Sequence, residues 1–307
     1  MNPLLSFALG LMLSAQASAQ WIERARLSHV DLDGDGTDEV VVGGRVGPFL
    51  PEDAPADLRR ARIEILRGSG GWMTPLARSE DLHVVDDVEA GDFDGDGRVD
   101  ILAVGGDRLF LLRPDRDRLT VVAETALPGS SRRVSASRGS PEGIVAATSY
   151  DVDTDGDAGT TTVILLGLRG DTITRRGEIA VRGHVGDLAF VRGEHERLLL
   201  VAETGGGDEG GDARVWDAIE FGRPRRVWEG RVTSGARALT VAADPTGEVV
   251  FGGMDGTVTT CAWSGEALTV LGRSHVGVVE DFTAVAPGRW AAWLREGRGV
   301  HLLDVPR

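Results

Sequence analysis

The chain has 307 residues, 41% hydrophobic and only 5% aromatic, with a formal charge of −15 at pH 7. That excess of negative charge excludes nucleic acid and an anionic membrane surface as partners, since both are polyanions. The single cysteine, Cys261, excludes an intrachain disulfide, and a core so poor in aromatic rings must be built from Val, Leu, Ile and Ala.

Pro3 to Leu13 is an apolar run followed by Ala17-Ser18-Ala19, the small residues that a signal peptidase requires. Residues 1–19 therefore read as a signal peptide cleaved near Ala19, leaving a secreted or periplasmic chain from Gln20. The run is too short for a transmembrane helix, which needs about 20 apolar residues, so no membrane insertion is expected. No cysteine follows the cleavage site that could carry a lipid. Every basic residue is Arg, the codon signature of a GC-rich, bacterial genome. A secreted chain without disulfides needs another staple, and bound metal is one.

From Gln20 onward helical periodicity is almost absent. Short apolar or alternating runs such as Val40–Gly43, Ala61–Leu66, Ile101–Val104, Leu109–Leu112, Leu119–Val122, Thr161–Leu166 and Val249–Phe251 alternate with turns rich in Gly, Asp and Arg. Gly47–Arg60 carries Pro48, Pro51 and Pro55 and reads as an elaborated loop. Two stretches are near copies of one another. Asp31-Leu-Asp33-Gly-Asp35-Gly leads into Glu39 and Val40–Gly44; Asp92-Phe-Asp94-Gly-Asp96-Gly leads into Asp100 and Ile101–Gly106. A degraded third copy is Asp151-Val-Asp153-Thr-Asp155-Gly-Asp157.

A strand pair follows each copy, which makes about four strands per unit, the blade of a β-propeller. Six units start near Leu27, Val88, Val134, Val185, Ala238 and Phe282. The last is one strand short, and Gln20–Arg24 would complete it and close the ring. The expected fold is all-β: one propeller domain over 20–307, with six four-stranded antiparallel blades and seven as the alternative count.

The acidic loops have a chemical logic. Carboxylates at positions one, three and five converge when Gly at position six lets the backbone wrap tightly, and position seven adds its carbonyl. In the first loop the ligands are Asp31, Asp33, Asp35 and Thr37; in the second, Asp92, Asp94, Asp96 and Arg98. Hard oxygen donors without His or Cys favour Ca2+. An EF-hand would end on Glu at position twelve, but Val42 and Ala103 stand there, and the closing acids come at position nine, Glu39 and Asp100.

This pattern, Asp-x-Asp-x-Asp-Gly-x-x-Asp followed by a strand and Gly-Gly, resembles the FG-GAP or VCBS repeats of integrin-α-like β-propellers. The resemblance implies a loop between the first and second strands of a blade, holding one calcium through the positions just named. Glu39, longer than the usual Asp, departs from it. The third copy has Gly159 at position nine, leaving Asp151, Asp153, Asp155 and Asp157 as a weaker site. Blades over 20–181 fit this family. Those over 182–307 resemble WD repeats in cadence, with Asp212–Asp217 as a third strand and Gly183-His184 as the Gly-His pair that joins a structural hydrogen-bond network.

No catalytic signature accompanies these repeats. There is no Gly-x-Ser-x-Gly elbow, Cys261 has no thiol-activating context, and His195-Glu196 lacks the second His of a zincin. Trp72, Trp216, Trp228, Trp263, Trp290 and Trp293 read mainly as packing groups between blades. The expected function is a non-catalytic, calcium-stabilised, monomeric module that binds protein or glycan. A lectin, or a polysaccharide lyase or hydrolase on the same scaffold, is the alternative.

Overall fold

A computed structural model describes residues 22–304 other than 36–37, 47–59, 70–71, 138–141, 151–159, 192–196, 204–211, 218–223, 233–237, 245, 287–288 and 295–298. All regular structure among the described residues is β. Six antiparallel meanders follow one another: β1 (Ile22–Val30), β2 (Glu39–Val46), β3 (Arg60–Ser69) and β4 (Trp72–Ser79); β5 (Asp87–Gly91), β6 (Asp100–Asp115) and β7 (Arg118–Ser131); β8 (Val134–Ala136), β9 (Gly143–Tyr150), β10 (Thr160–Arg169) and β11 (Thr172–Arg182). Then come β12 (His184–Val191), β13 (Arg197–Glu203), β14 (Asp212–Asp217) and β15 (Arg225–Arg231); β16 (Ala238–Ala243), β17 (Glu248–Gly253), β18 (Thr257–Trp263) and β19 (Leu268–His275); and β20 (Val279–Ala286), β21 (Arg289–Leu294) and β22 (Gly299–Asp304). A two-residue parallel bridge from β4 to β7 and one pair, Ser130 with Tyr150, link the first three meanders into an 11-stranded sheet.

β6 is extended throughout its 16 residues yet cannot be straight. Arg113 Nε lies 2.8 Å from Asp100 Oδ1, whereas 13 extended residues span roughly 43 Å. The strand doubles back near Gly106, whose φ of 60° suits a residue without a side chain. Its two halves correspond to the expected runs at Ile101–Val104 and Leu109–Leu112.

The six unit starts read from the sequence fall in β1, β5, β8, β12, β16 and β20. Each of these strands lies beside two of the others, in the order β1, β5, β8, β12, β16, β20 and back to β1. They line one cavity of about 330 Å3.

The core is divided among the seams between successive meanders. Ile63 and Ile65 pack with Ile101 and Ala103; Leu109 and Leu111 with Val145 and Ile164; Val163 and Leu165 with Val185 and Leu188. Val215 packs with Phe251 and Cys261, and Val250 with Phe282 and Trp290. A strand inside such a stack is covered on both faces, which is why β17 is buried at every position and, after Glu248, reads as an apolar run. β19, at the end of its meander, is buried only at Leu268 and then alternates exposed and half-buried positions. Trp263 and Trp290 are core groups, and Trp216 and Trp228 pack against the core, the role their positions implied.

The Gly-Gly dipeptides that follow the acidic loops have a steric reason. A Cβ on Gly105 would lie 2.2 Å from the Val84 carbonyl oxygen, and one on Gly43 would lie 2.4 Å from Val88. Backbone cannot yield as a side chain can. Gly105→Ala is therefore expected to cost about 1–3 kcal/mol by overpacking, measured as a lower urea midpoint with an unchanged m-value.

One expectation about closure fails. Ile22 and Glu23 belong to β1, paired with Val46 and Arg45 of β2, and the β20–β22 meander has three strands among the described residues. The first meander thus keeps its own leading strand, and β1 meets β20 only by packing. The proline-rich loop at 47–59 lies outside the described residues.

Candidate metal centres

The two acidic loops occupy the same place in successive meanders, between β1 and β2 and between β5 and β6. Asp31, Asp33 and Glu39 offer one oxygen each within 4.8 Å of one another, and so do Asp92, Asp94 and Asp96. The turns are wound by their own carboxylates. Asp31 Oδ1 accepts from the amides of Gly34 (2.8 Å) and Asp35 (3.1 Å), while Asp92 accepts from Gly95 (2.8 Å) and Gly97 (3.0 Å). Gly34, Gly95 and Gly97 have φ near 70–80°, the left-handed conformation this winding needs. Thr37 lies outside the described residues; Asp35 is exposed and not part of the three-carboxylate group.

The closing acids at position nine are the buried ones. Glu39 and Asp100 begin β2 and β6 with almost no exposure; Glu39 takes an arginine from the paired strand β3, and Asp100 takes one from the far half of its own doubled-back β6. Arg67 Nε donates to Glu39 Oε1 (2.7 Å), and Arg113 Nε donates to Asp100 Oδ1 (2.8 Å). Beyond that shared contact the two loops differ. Arg67 also reaches Asp33 Oδ2 at 2.6 Å and holds that carboxyl below the ordinary carboxylate range. The rest of the Arg113 guanidinium turns away, to the Gly170 carbonyl and the Asp171 carboxylate in the β10–β11 turn. Asp94 Oδ2 accepts from the Gly170 amide, so this loop is stitched to the next meander.

Asp100 Oδ2 is buried without a hydrogen-bond partner. Burial, reinforced by the charges of Asp94 and Asp96 and opposed by Arg113, pushes its carboxyl up to about 6. An orphaned buried carboxylate oxygen beside two more acids is a costly arrangement for a protein alone. A divalent cation would relieve it. Arg98 neutralises only Asp96, through an exposed ion pair that also lowers the Asp96 pKa.

The third acidic copy, Asp151 to Asp157, lies outside the described residues, but its flanking strands are β9 and β10. It thus joins the second and third strands of its meander, whereas the other two loops join the first and second. A closer counterpart is Asp244–Glu248, between β16 and β17. There the loop is shorter, and Asp244 Oδ1 accepts from the Thr246 amide and hydroxyl and the Glu248 amide. Protein donors fill the place that a cation would take.

A second acidic constellation was not anticipated. Asp87, Asp187 and Asp281 sit on β5, β12 and β20 and line the central cavity. Each accepts the amide of its own next residue and, on its other oxygen, an amide of the next inner strand: Val134, Val241 and Leu27. Arg133 Nε lies 3.2 Å from Asp187, and Arg26 lies 3.9 Å from Asp281. At the corresponding place before Val241, Thr240 donates its hydroxyl to Asp187. Burial pushes Asp87 up to about 7 and Asp281 up to about 6, with the arginines opposing. The sequence signal was a Val-x-Asp triplet at 85–87, 185–187 and 279–281, at the head of every second unit.

Cys261 is fully buried, and burial pushes its thiol up to about 12, so it is a core group without nucleophilic character. Asp212–Asp217 is the third strand of its meander, as read. Around the Gly183-His184 pair, His184 has an exposed side chain, and Thr161 Oγ1 bridges the Gly183 carbonyl and Val185 amide. No protein-family model matches the chain, and no curated protein sequence matches it.

Proposed function

We propose that the chain is a six-bladed β-propeller, exported to the periplasm or beyond, that uses two calcium ions as staples and presents a rigid binding surface for a protein or glycan. The cyclic order of the six inner strands around one cavity supports the blade count, with each meander as a blade. The observation that carries the calcium reading is the buried, unpartnered Asp100 Oδ2, which feels the charges of Asp94 and Asp96, at the end of the loop in which Asp92, Asp94 and Asp96 converge without it. Asp92, Asp94, Asp96 and Asp100 would hold one ion and Asp31, Asp33, Asp35 and Glu39 the other, with the Arg98 and Thr37 carbonyls completing them. Bound calcium would supply charge neutralisation and pin a first strand to a second. It has no catalytic part in this reading. The resemblance to FG-GAP repeats is a further support, and it rests on the loops alone.

Chelation tests the staple. Extracellular modules bind calcium at about 10⁻⁴–10⁻³ M, and at tenfold excess over the dissociation constant each site adds about 1.4 kcal/mol. Two sites then shift the melting midpoint by roughly 5–10 °C, at about 2–4 °C per kcal/mol. The expected result is that fall on adding EDTA, reversed by calcium and not by magnesium, with calcium found by mass spectrometry. An unchanged melt with no bound metal would remove the reading. A glycan array, with a pull-down from native envelope, separates a lectin from a protein-binding scaffold.

A further inference from the structure

The two loops share a pattern but not an electrostatic environment: Arg98 pairs with Asp96 at the exposed rim of the second, and the buried part of the difference traces to one pair of equivalent arginines. Arg67 and Arg113 stand at corresponding places, each alongside the position-nine acid of its own loop. In the second loop the β10–β11 turn takes two of the Arg113 contacts, through Gly170 and Asp171, and supplies the Gly170 amide to Asp94. The guanidinium is thereby drawn off the loop carboxylates apart from Asp100 Oδ1, and Asp100 Oδ2 stays open. In the first loop nothing among the described residues draws Arg67 away. It spans Asp33 and Glu39, the acids at positions three and nine, while the Leu32 amide takes the remaining Glu39 oxygen at 2.8 Å. The first loop therefore has an internal cation that already bridges two of its three clustered carboxylates.

Building on the calcium reading, we infer that Arg67 is the affinity-determining residue of the first loop, a tethered counter-cation that competes with calcium for Asp33 and Glu39. The two sites are consequently unequal. The second loop is the tighter and fills first; the first fills only at higher calcium, when the ion displaces the guanidinium. An ion and a guanidinium sharing the same carboxylates also repel each other, which adds to the difference. Export into a compartment of variable calcium would then leave the Asp92–Asp100 loop filled and the Asp31–Glu39 loop responsive.

The test is a calcium titration of the full mature chain by isothermal calorimetry at fixed ionic strength. Asp31→Asn with Asp33→Asn removes the first site, and Asp92→Asn with Asp94→Asn the second, which assigns each binding step. The wild type is expected to show two steps at least tenfold apart, the tighter one lost with Asp92 and Asp94. Arg67→Met is expected to tighten the first-loop step about tenfold and leave the other within twofold. Arg67→Lys, which keeps the charge but cannot bridge both acids with a planar fork, should fall between; it also serves if the Met variant does not fold. Equal steps, or an Arg67→Met step that is unchanged or weaker, would overturn the competition while leaving two calcium sites in place. Absence of any calcium heat in the wild type would overturn the calcium reading itself.

Discussion

Asp187→Ala is expected to lower folding stability by about 3–5 kcal/mol, the usual cost of removing one partner from a buried charged network. Against a typical total of 5–15 kcal/mol, that is enough to leave the chain barely folded. One carboxylate here accepts from three donors, the Leu188 and Val241 amides and the Thr240 hydroxyl, and pairs at 3.2 Å with Arg133, whose Nε donates to the Gly186 carbonyl. Alanine would leave the two amides and the nearly unexposed Thr240 hydroxyl without their acceptor, and Arg133 without its counter-charge. The Val241 and Thr240 contacts are the ones that tie β12 to β16, so the loss falls on the joint between neighbouring inner strands. Asp187→Asn keeps one acceptor and should lose less. Asp107→Ala is the control: its side chain is 72% exposed and its nearest ion pair is 3.9 Å long, so the change should stay within about 0.5 kcal/mol. Urea unfolding followed by tryptophan fluorescence measures all three. A loss below about 1 kcal/mol for Asp187→Ala would show that the three aspartates do not hold the inner strands together.

What could be read in the sequence and what could not follow from how far apart the interacting residues lie. The strand runs were legible because stacked sheets demand them: Val249–Phe251 is apolar at every position since β17 is covered on both faces. The loops at Asp31 and Asp92 were legible because their acids lie two residues apart and must meet. The aspartates of the cavity were not, since Asp87 finds Val134, and Asp281 finds Leu27, 254 residues away. Only a recurring triplet at alternate units hinted at them. The arginines of the two loops were hidden for the same reason: Arg67 is 28 residues from Glu39, and the strand pairing alone brings them together. Asp151–Asp157 has the acids of the other loops, but it connects β9 to β10, and strand order rather than acid density sets equivalence.

Stability is expected to fall, not rise, as pH increases from 5 to 8. Most carboxylates in a folded protein are held low by positive neighbours, and here Asp33, Asp81, Asp96 and Glu229 are of that kind, each with an arginine as the largest cause. Their contribution is present above the unfolded pKa and is lost only in more acid solution, below about pH 4.5. Asp87 and Asp281 have the opposite sign. Burial raises them to about 7 and about 6, whereas an unfolded Asp titrates near 3.9. The folded state therefore keeps protons that the unfolded chain has already released. The stabilisation is complete below about pH 4 and disappears as pH rises through about 6 and then about 7. The groups that face this pair are Arg26 and His29 from β1, Glu89 from β5, Arg133 before β8, Asp187 from β12 and Asp244 after β16. Arg133 pairs with Asp187 and Arg26 with Asp281, which leaves Asp87 without its own cation, and Asp87 is the one raised further. At 1.36 kcal/mol per pKa unit, about two units for Asp87 and one for Asp281 make the loss between pH 5 and 8 on the order of 4 kcal/mol. Denaturation midpoints at four pH values in saturating calcium, which keeps the acidic loops filled, would measure it. Asp87→Asn has no proton to give up: it should be the less stable protein at pH 5, close to wild type at pH 8, and flatter between them. A variant slope as steep as the wild type's would place the titrating group elsewhere.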